Sequence, residues 1–311
     1  MTFENKKVLV TGGLGFLGSH LVDRLLQLGA KVTIIDVVSG NGLKRVEHVK
    51  DKVTVLDMDI SDESKFSTLE PSDYVFHLAA YAVPNLCEKN PDTAFKSNVM
   101  GTYNILKYAV GCNAKKVVFP SSALLYGKHP KYVPIDESHP IELNTVYNVT
   151  KKLGEDMCKF FIDNFKLPVV YFRLFNSFGP RQDADYFMPT VILQALNGGN
   201  IEIWNANPTR DFTFVTDTVE AFIKAAESEF VGGPLNIGSS REVKVGDIAS
   251  LIAKKSGASL TILNKEVSGP MRLMCNNEKA RKLIRWEPKV GFEDALNTTI
   301  DWFEKNKSLF R

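Results

Sequence analysis

Thr11-Gly12-Gly13-Leu14-Gly15-Phe16-Leu17-Gly18 decides the fold. The stretch lies between a short apolar run, Lys7 to Thr11, and a segment, Ser19 to Leu28, whose apolar residues recur at helical spacing. Glycines at 12, 15 and 18 leave room for the turn, for a backbone that approaches a pyrophosphate closely, and for tight helix–strand contact. The helix that follows offers unpaired N–H groups and a partial positive charge at its N-terminus. Glycines alone mark only a tight turn; a strand before them and a helix after them mark a dinucleotide-binding loop. Asp36 closes the next β-branched run, Lys31 to Asp36, about 20 residues past the loop, where a carboxylate accepts the hydroxyls of a ribose and repels a 2′-phosphate. That favours NAD over NADP, although Lys44 and Arg45 follow closely.

Outward from this unit, the same rhythm repeats. Val53 to Met58, Tyr74 to Leu78, Lys116 to Pro120 and Val169 to Leu174 read as buried strands, separated by helix-length stretches such as Pro91 to Val110 and Tyr147 to Phe165. Strands that are apolar on both faces and alternate with helices predict an α/β fold with a doubly wound parallel sheet. After Asn176 the pattern loosens around Pro180, Pro189, Gly198-Gly199 and Pro208. A helix around Val219 to Ser228 then leads to a last strand, Gly233 to Gly238, and Trp286-Glu287-Pro288 reads as a helix stop. The expected organisation is a nucleotide-binding domain of residues 1–175 plus about 212–238, and a smaller C-terminal lobe of about 176–211 and 239–311, with the chain crossing between them.

Composition narrows the function. Of 311 residues 24% are charged and 44% hydrophobic, which excludes fibrous and disordered classes. The net charge of +2 comes from scattered Lys and Arg, not from the basic footprint of a nucleic-acid binder. No apolar run approaches the roughly 20 residues of a membrane span, and residues 1–7 lead into the first strand without a signal-peptide core. Cys87, Cys112, Cys158 and Cys275 are far apart, and the five histidines show no ligand spacing. Neither a disulfide framework nor a metal site is expected, and the thiols read as those of a cytoplasmic protein.

Ser121-Ser122 ends a buried strand, and Tyr147-Asn148-Val149-Thr150-Lys151 opens a helix some 25 residues later. Tyrosine and lysine four apart share a helical face, and an ammonium beside a phenol lowers a pKa that starts near 10. Such a tyrosine takes a proton from a substrate hydroxyl, with a serine sharing the hydrogen bond. Tyr103 and Lys107 have the same spacing. Position separates the two pairs: Tyr147 follows the Ser-Ser strand end, at the carboxyl edge where doubly wound sheets bind ligands, while Tyr103 is expected to pack.

Taken together, these motifs resemble those of the extended short-chain dehydrogenase/reductases, in the nucleotide-sugar epimerase and dehydratase branch typified by UDP-glucose 4-epimerase. The matches are TGGLGFLG (11–18), Asp36, Asp59-Ile60, His77-Leu78-Ala79-Ala80, Asn98, SSALLYG (121–127), YNVTK (147–151), RLFNSFGPRQ (173–182), RDFTFV (210–215) and WEPKV (286–290). The resemblance implies a Rossmann-type domain that binds NAD through Gly12, Gly15, Phe16, Leu17, Gly18 and Asp36. Asp59 and Ile60 would border the adenine, Leu78, Ala79 and Ala80 would line the cleft, and Asn98, Tyr147 and Lys151 would complete the cofactor site. It also implies Ser122, Tyr147 and Lys151 as catalytic residues. Ser122, Asn176, Arg181, Arg210 and Arg272 would contact a nucleotide-sugar, with UDP the expected nucleotide and the arginines suited to a diphosphate. A homodimer is implied as well, through the helices of Pro91 to Val110 and Tyr147 to Phe165, with Phe95, Met100, Met157, Phe160 and Phe161 as contacts.

Within that branch, a shared oxidation at sugar C4 precedes three different reactions. Dehydratases carry Asp-Glu after the serine and decarboxylases keep the Glu, whereas this chain has Ala123 and Leu124. Elimination then lacks a proton shuttle, unless Asp183 or Asp185 provides one, so 4-epimerisation is expected. A 4,6-dehydratase, a ketosugar reductase and a non-enzymatic NAD-binding regulator are the alternatives. The chain departs from the family pattern at Trp204-Asn205-Ala206-Asn207-Pro208, at Pro270 and at Asn276, and the Leu, Met and Trp of these loops are expected to pack within the lobe.

Overall fold

A strand covered by helices on both sides must be apolar on both sides, and β1 shows the consequence at single-residue resolution. Val8 and Val10 point to one face of the sheet and Leu9 to the other, all buried. The computed structural model describes residues 2–40, 42–266 and 269–310, so Met1 of the segment read above lies outside the described residues. Chain order begins β1 (Lys7–Thr11), α1 (Phe16–Gln27), β2 (Lys31–Asp36), β3 (Val53–Asp57), β4 (Tyr74–His77) and the short helices α2 (Pro84–Lys89) and α3 (Pro91–Phe95). It continues with α4 (Gly101–Gly111), β5 (Lys116–Ser122), α5 (Val146–Phe165), β6 (Val169–Leu174), β7 (Asn176–Phe178), α6 (Phe187–Gly198), β8 (Asn200–Ile203), β9 (Thr209–Arg210) and β10 (Phe212–Phe214). The last elements are α7 (Val215–Glu227), β11 (Gly232–Ile237), β12 (Val243–Lys244), α8 (Val245–Ser256), β13 (Ser259–Ile262), α9 (Glu278–Ile284) and α10 (Phe292–Lys305).

Seven strands form one parallel sheet in the order β11-β6-β5-β4-β1-β2-β3, the doubly wound arrangement expected. Strand order reverses at β1, which sits between β2 and β4, and ligands of such sheets bind at the carboxyl ends beside that reversal. Thr11, Asp36, His77 and Ser122 all end strands there. Leu21, Val22 and Leu25 of α1 and Phe222 of α7 cover one face, while Ile105 and Leu106 of α4 and Phe161 of α5 cover the other. A separate apolar cluster, including Ile192, Ile201, Ile248 and Phe303, forms the lobe. Among the described residues no helix is long and apolar enough to cross a membrane.

Two elements differ from the reading of the sequence. Helix α1 starts at Phe16, three residues before Ser19, so the glycine loop runs directly into it. The stretch from Pro91 is not one regular helix: a wider π turn at Lys96–Met100 interrupts it and turns Asn98 inward.

Helix α5 is seated by two features. Thr145 caps it, its side chain accepting the Asn148 N–H at 3.1 Å, which starts the helix just ahead of Tyr147. One turn past Lys151, Glu155 receives both Nε and Nη2 of Arg173 on β6, at 2.9 and 2.8 Å, in a pair that is 4% and 6% exposed. The Tyr126 ring covers the same guanidinium at 5.0 Å. Removing one partner of a buried pair leaves an uncompensated charge. Arg173→Met is therefore expected to destabilise the protein by about 3–5 kcal/mol, with Arg173→Met/Glu155→Leu recovering most of the loss in urea unfolding. A single variant no less stable than the double would show that the pair does not hold α5.

Candidate active site

The glycine loop is built by exclusion. Gly12 has φ +71°, and a Cβ there would stand 2.6 Å from the Ala79 nitrogen; a Cβ at Gly18 would stand 2.0 Å from the Gly12 carbonyl oxygen. Gly15, the N-cap of α1, has no side chain to cap the helix, and the first turn carries no acidic residue. The N–H groups of Phe16, Leu17 and Gly18 thus begin the helix without a protein anion, which fits the pyrophosphate of a dinucleotide.

Asp36 sits beside this loop, its carboxylate accepting N–H bonds from Leu14 and Val37 at 2.9 Å each. Burial raises its pKa, and those N–H donors oppose the rise. Arg45, which follows this strand closely in sequence, is committed elsewhere. It donates to the carbonyls of Leu14 and Arg181 and to the Asp183 carboxylate. A carboxylate at the ribose position with the nearby guanidinium already satisfied suits NAD.

The remaining cofactor-side residues line the same edge. Asp59 is exposed and accepts the Ser61 N–H at 2.8 Å, while Ile60 is buried beneath α4, its carbonyl taken by Asn104. Leu78, Ala79 and Ala80 are half-buried at the end of β4. Asn98 is placed differently from the direct cofactor contact expected. Its Oδ1 accepts the Tyr81 N–H, and its Nδ2 donates to the Tyr81 carbonyl and to the Thr150 hydroxyl. The inward π turn gives it this role: it ties the strand-end segment to α5 one residue before Lys151.

Ser122, Tyr147 and Lys151 come together as expected, all buried. The Lys151 ammonium donates to the Pro120 carbonyl at 3.1 Å and lies 5.3 Å from the centre of the Phe119 ring. Burial lowers its pKa to about 8, against the raising influence of Cys87 and Glu155. The expected lowering of the tyrosine by its neighbour is not found in the chain itself. Burial pushes the Tyr147 phenol well above its ordinary value, and the hydrogen bond from Ser122 pulls it only partly back. The ammonium is turned toward Pro120, so its charge does not offset desolvation of the phenolate. The second Tyr–Lys pair is no site: the Tyr103 ring packs on Phe161 and Lys107 pairs with Glu63.

The three arginines expected on the substrate diverge. Arg210 is largely buried, donates only to the Thr209 carbonyl, and faces no carboxylate among the described residues; burial lowers its pKa. A buried cation without a counter-ion is suited to an anionic ligand. Arg272 instead forms a bidentate pair with Glu242 at 2.8 and 2.7 Å and is exposed, so its fork is already filled. Arg181 pairs with Asp23 of α1 at 2.8 Å and leaves its buried Nη1 without a partner; it flanks the dinucleotide loop. Asn176 lies at the junction, its Nδ2 donating to the Asp211 carbonyl at 3.2 Å.

The profile of the NAD dependent epimerase/dehydratase family matches residues 8–238. This chain belongs to that family. Its cofactor is NAD. A UDP-glucuronic acid decarboxylase from Xenopus tropicalis is 31% identical over 97% of this chain and 73% of the relative. An epimerase structure from Methanothermobacter thermautotrophicus superposes with a TM-score of 0.94 at 31% identity, covering 100% of this chain and 95% of that one. A UDP-N-acetylglucosamine 4-epimerase from Methanobrevibacter ruminantium, solved with UDP-N-acetylmuramic acid, gives 0.92 at 30% identity over 98% and 100%. The relatives thus include both UDP-sugar epimerases and decarboxylases.

Several features of this epimerase/dehydratase-family site escaped sequence reading. His77 is a neutral, buried link whose pKa burial lowers to about 3. Its Nδ1 meets the Thr11 hydroxyl at 2.7 Å and its Nε2 the Thr102 hydroxyl at 2.9 Å, and Thr102 donates in turn to the Asn98 carbonyl. Tyr186, at the start of α6, has a phenol near enough to Tyr147 that its ionisation would push Tyr147 up. Trp204 and Met271, expected to pack in the lobe, are 57% and 47% exposed because β8 and the 269–273 segment run along its surface; Leu273 does pack, buried beside Tyr126.

Proposed function

We propose that this protein inverts C4 of a UDP-sugar through a transient 4-ketosugar. The observation that carries the reading is apolar. Beside the buried Ser122, Tyr147 and Lys151, Ala123 is buried and Leu124 packs against the Tyr147 ring, where a dehydration or decarboxylation would use carboxylates. Asp183, the substitute weighed from sequence, is taken by Arg45. In this reading the sheet domain, residues 1–175 with about 212–238, holds the dinucleotide, and the lobe, about 176–211 and 239–311, holds the nucleotide-sugar.

Tyr147 accepts the proton of the 4-hydroxyl, and Ser122 shares that hydrogen bond and holds the oxygen in place. Lys151, a cation at neutral pH on the same helical face, orients the ribose of the cofactor; its ammonium, turned toward Pro120 in the chain itself, would favour the phenolate only where a bound dinucleotide draws it toward the phenol. NAD supplies a hydride acceptor that becomes the donor, so the cycle is redox-neutral. Arg210 holds the diphosphate, and Asn176 meets the sugar at the junction between domain and lobe. UDP is the nucleotide supported by the names of the relatives.

Decarboxylation of a UDP-hexuronic acid is the second reading, favoured by the 31% identity to the Xenopus tropicalis decarboxylase. The two separate on a panel of UDP-glucose, UDP-galactose, their N-acetyl forms and UDP-glucuronic acid, followed by NMR with no cofactor added. Inversion at C4 is expected; unchanged C4 throughout, or loss of carbon dioxide, would sink the proposal. Tyr147→Phe should lower turnover by about 10²–10⁴-fold while keeping NAD bound. Because the Lys151 ammonium is the working form and has a pKa of about 8, activity should fall as the pH rises through that value. A flat profile to pH 10 would remove the lysine's charge from the mechanism.

The protein acts as a homodimer in this reading, joined through α4 and α5. Phe95 at the end of α3, Met100 in the π turn that leads into α4, and Leu153 and Phe160 on α5 are exposed apolar residues, as a covered face requires. Phe161 is not available for that contact, since it is buried in the chain's own core, and Met157 is half-buried there. Light scattering should give twice the 34.7 kDa chain mass, and Phe160→Glu should halve it. A monomeric wild type would overturn the dimer. Cys87, Cys158 and Cys275 are free buried thiols, in keeping with a cytoplasmic location.

A further inference from the structure

Arg45 ends a 3-10 turn, Gly42–Arg45, that follows the ribose-side strand β2. Its guanidinium engages three acceptors on two segments. Nη1 donates to the Leu14 carbonyl at 3.2 Å, inside the glycine loop, and Nε donates to the Arg181 carbonyl at 3.1 Å. Nη2 meets the Asp183 carboxylate. The side chain is 18% exposed, so these bonds are shielded from water and salt more than a surface pair would be.

The segment it holds is the turn between Pro180 and Tyr186. The near end of that turn is fastened to α1, through His20 Nε2 on the Pro180 carbonyl at 2.9 Å and Arg181 on Asp23 at 2.8 Å. The far end carries Asp183, whose carbonyl accepts the Tyr186 N–H, and Tyr186 opens the lobe helix α6. Beside it lies a cleft of about 610 Å³, walled by Ser39, Lys44, Arg45, Arg181, Asp185 and Trp302. The far half of the turn is therefore held to the dinucleotide side by a polar clasp.

We propose that Arg45 is a positioning residue that couples the two ligands, joining the glycine loop to the turn that starts the lobe. The inference rests on the NAD and UDP-sugar reading given above. A dinucleotide bound at residues 12–18 and Asp36 fixes the Leu14 carbonyl between them, which fixes Arg45, which fixes Asp183 and the start of α6. The lobe then receives its nucleotide in a set orientation. Linkage makes the effect mutual: a nucleotide that orders the lobe must raise the affinity for the dinucleotide by the same factor, and a gain in affinity shows mostly as slower escape. Lysine offers one point charge where this arrangement uses a planar fork reaching three acceptors, so the device depends on arginine.

The test measures release of NAD from the purified holoenzyme, with and without saturating UDP, for wild type, Arg45→Met and Asp183→Asn. In the wild type UDP should slow release about 5-fold or more, within the usual range of coupling between sites. In both variants the ratio should fall below about 1.5-fold, whatever the change in the basal rate. A lowered melting temperature with an unchanged UDP effect would show a merely structural contact and overturn the proposal. So would a wild type whose NAD release ignores UDP, which leaves the functional reading intact. A purified protein carrying no dinucleotide would instead overturn the functional reading, and the coupling with it. Asp183→Asn keeps shape at a half-exposed position and provides a folded variant should Arg45→Met not yield one.

Discussion

Helix α5 lies against β5 at a separation that only a glycine permits: a Cβ at Gly154 would stand 2.6 Å from the Phe119 ring. That close seating brings Lys151, one turn earlier, over the same ring, and lets its ammonium reach the Pro120 carbonyl. The strand supplies Ser122 two residues on, and the helix supplies Tyr147 one turn before the lysine. Three reactive side chains from two elements thus inherit their spacing from one packing contact. A larger residue at 154 would tilt the helix and spread all three. The buried Arg173–Glu155 pair ties the same helix to β6, and the Thr145 cap fixes where it starts.

Charge in this protein follows the same economy of position. Lys151 is buried with a carbonyl and a ring face as neighbours, and Arg210 with a carbonyl alone, while Arg173 has a full carboxylate. Desolvation acts on all of them, but only Arg173 is compensated within the chain. Uncompensated buried cations are destabilising unless something negative arrives. They mark where a ligand belongs, and Arg173 marks where structure is being held.

The sheet was legible in the sequence because its central strands lie in doubly covered positions and so had to be short apolar runs, and because Thr11, Asp36 and Ser122 each end one at the ligand edge. Tyr147 and Lys151 were legible through their place after the Ser-Ser strand end. Side-chain commitments were not. Arg272 and Arg210 look alike in sequence, and only Glu242, thirty positions away in the chain, makes one of them a surface ion pair. Asn98 was recognisable as important, yet the π turn that swings it onto Tyr81 and Thr150 carries no periodicity signal. The sign of the Tyr147 shift was misread for the same reason: spacing puts an amine on the right face, but burial and the direction of the ammonium decide which effect wins.

A redox-neutral inversion makes a demand that a one-way oxidation does not, because the ketosugar must stay bound while presenting its other face. An anchor at the diphosphate and freedom at the ring meet both needs. Arg210 has the properties of such an anchor, a largely buried charge that faces no carboxylate among the described residues. In the proposed reaction Ala123 and Leu124 would stand nearest the reacting carbon, side chains that grip no hydroxyl and donate no proton. A carboxylate in their place would bond to one orientation of the sugar and give the ketosugar a route to elimination. Under the proposed mechanism apolar neighbours would leave the ring able to turn about its link to the phosphate, so the residues missing from this site would shape the outcome as much as the tyrosine present in it.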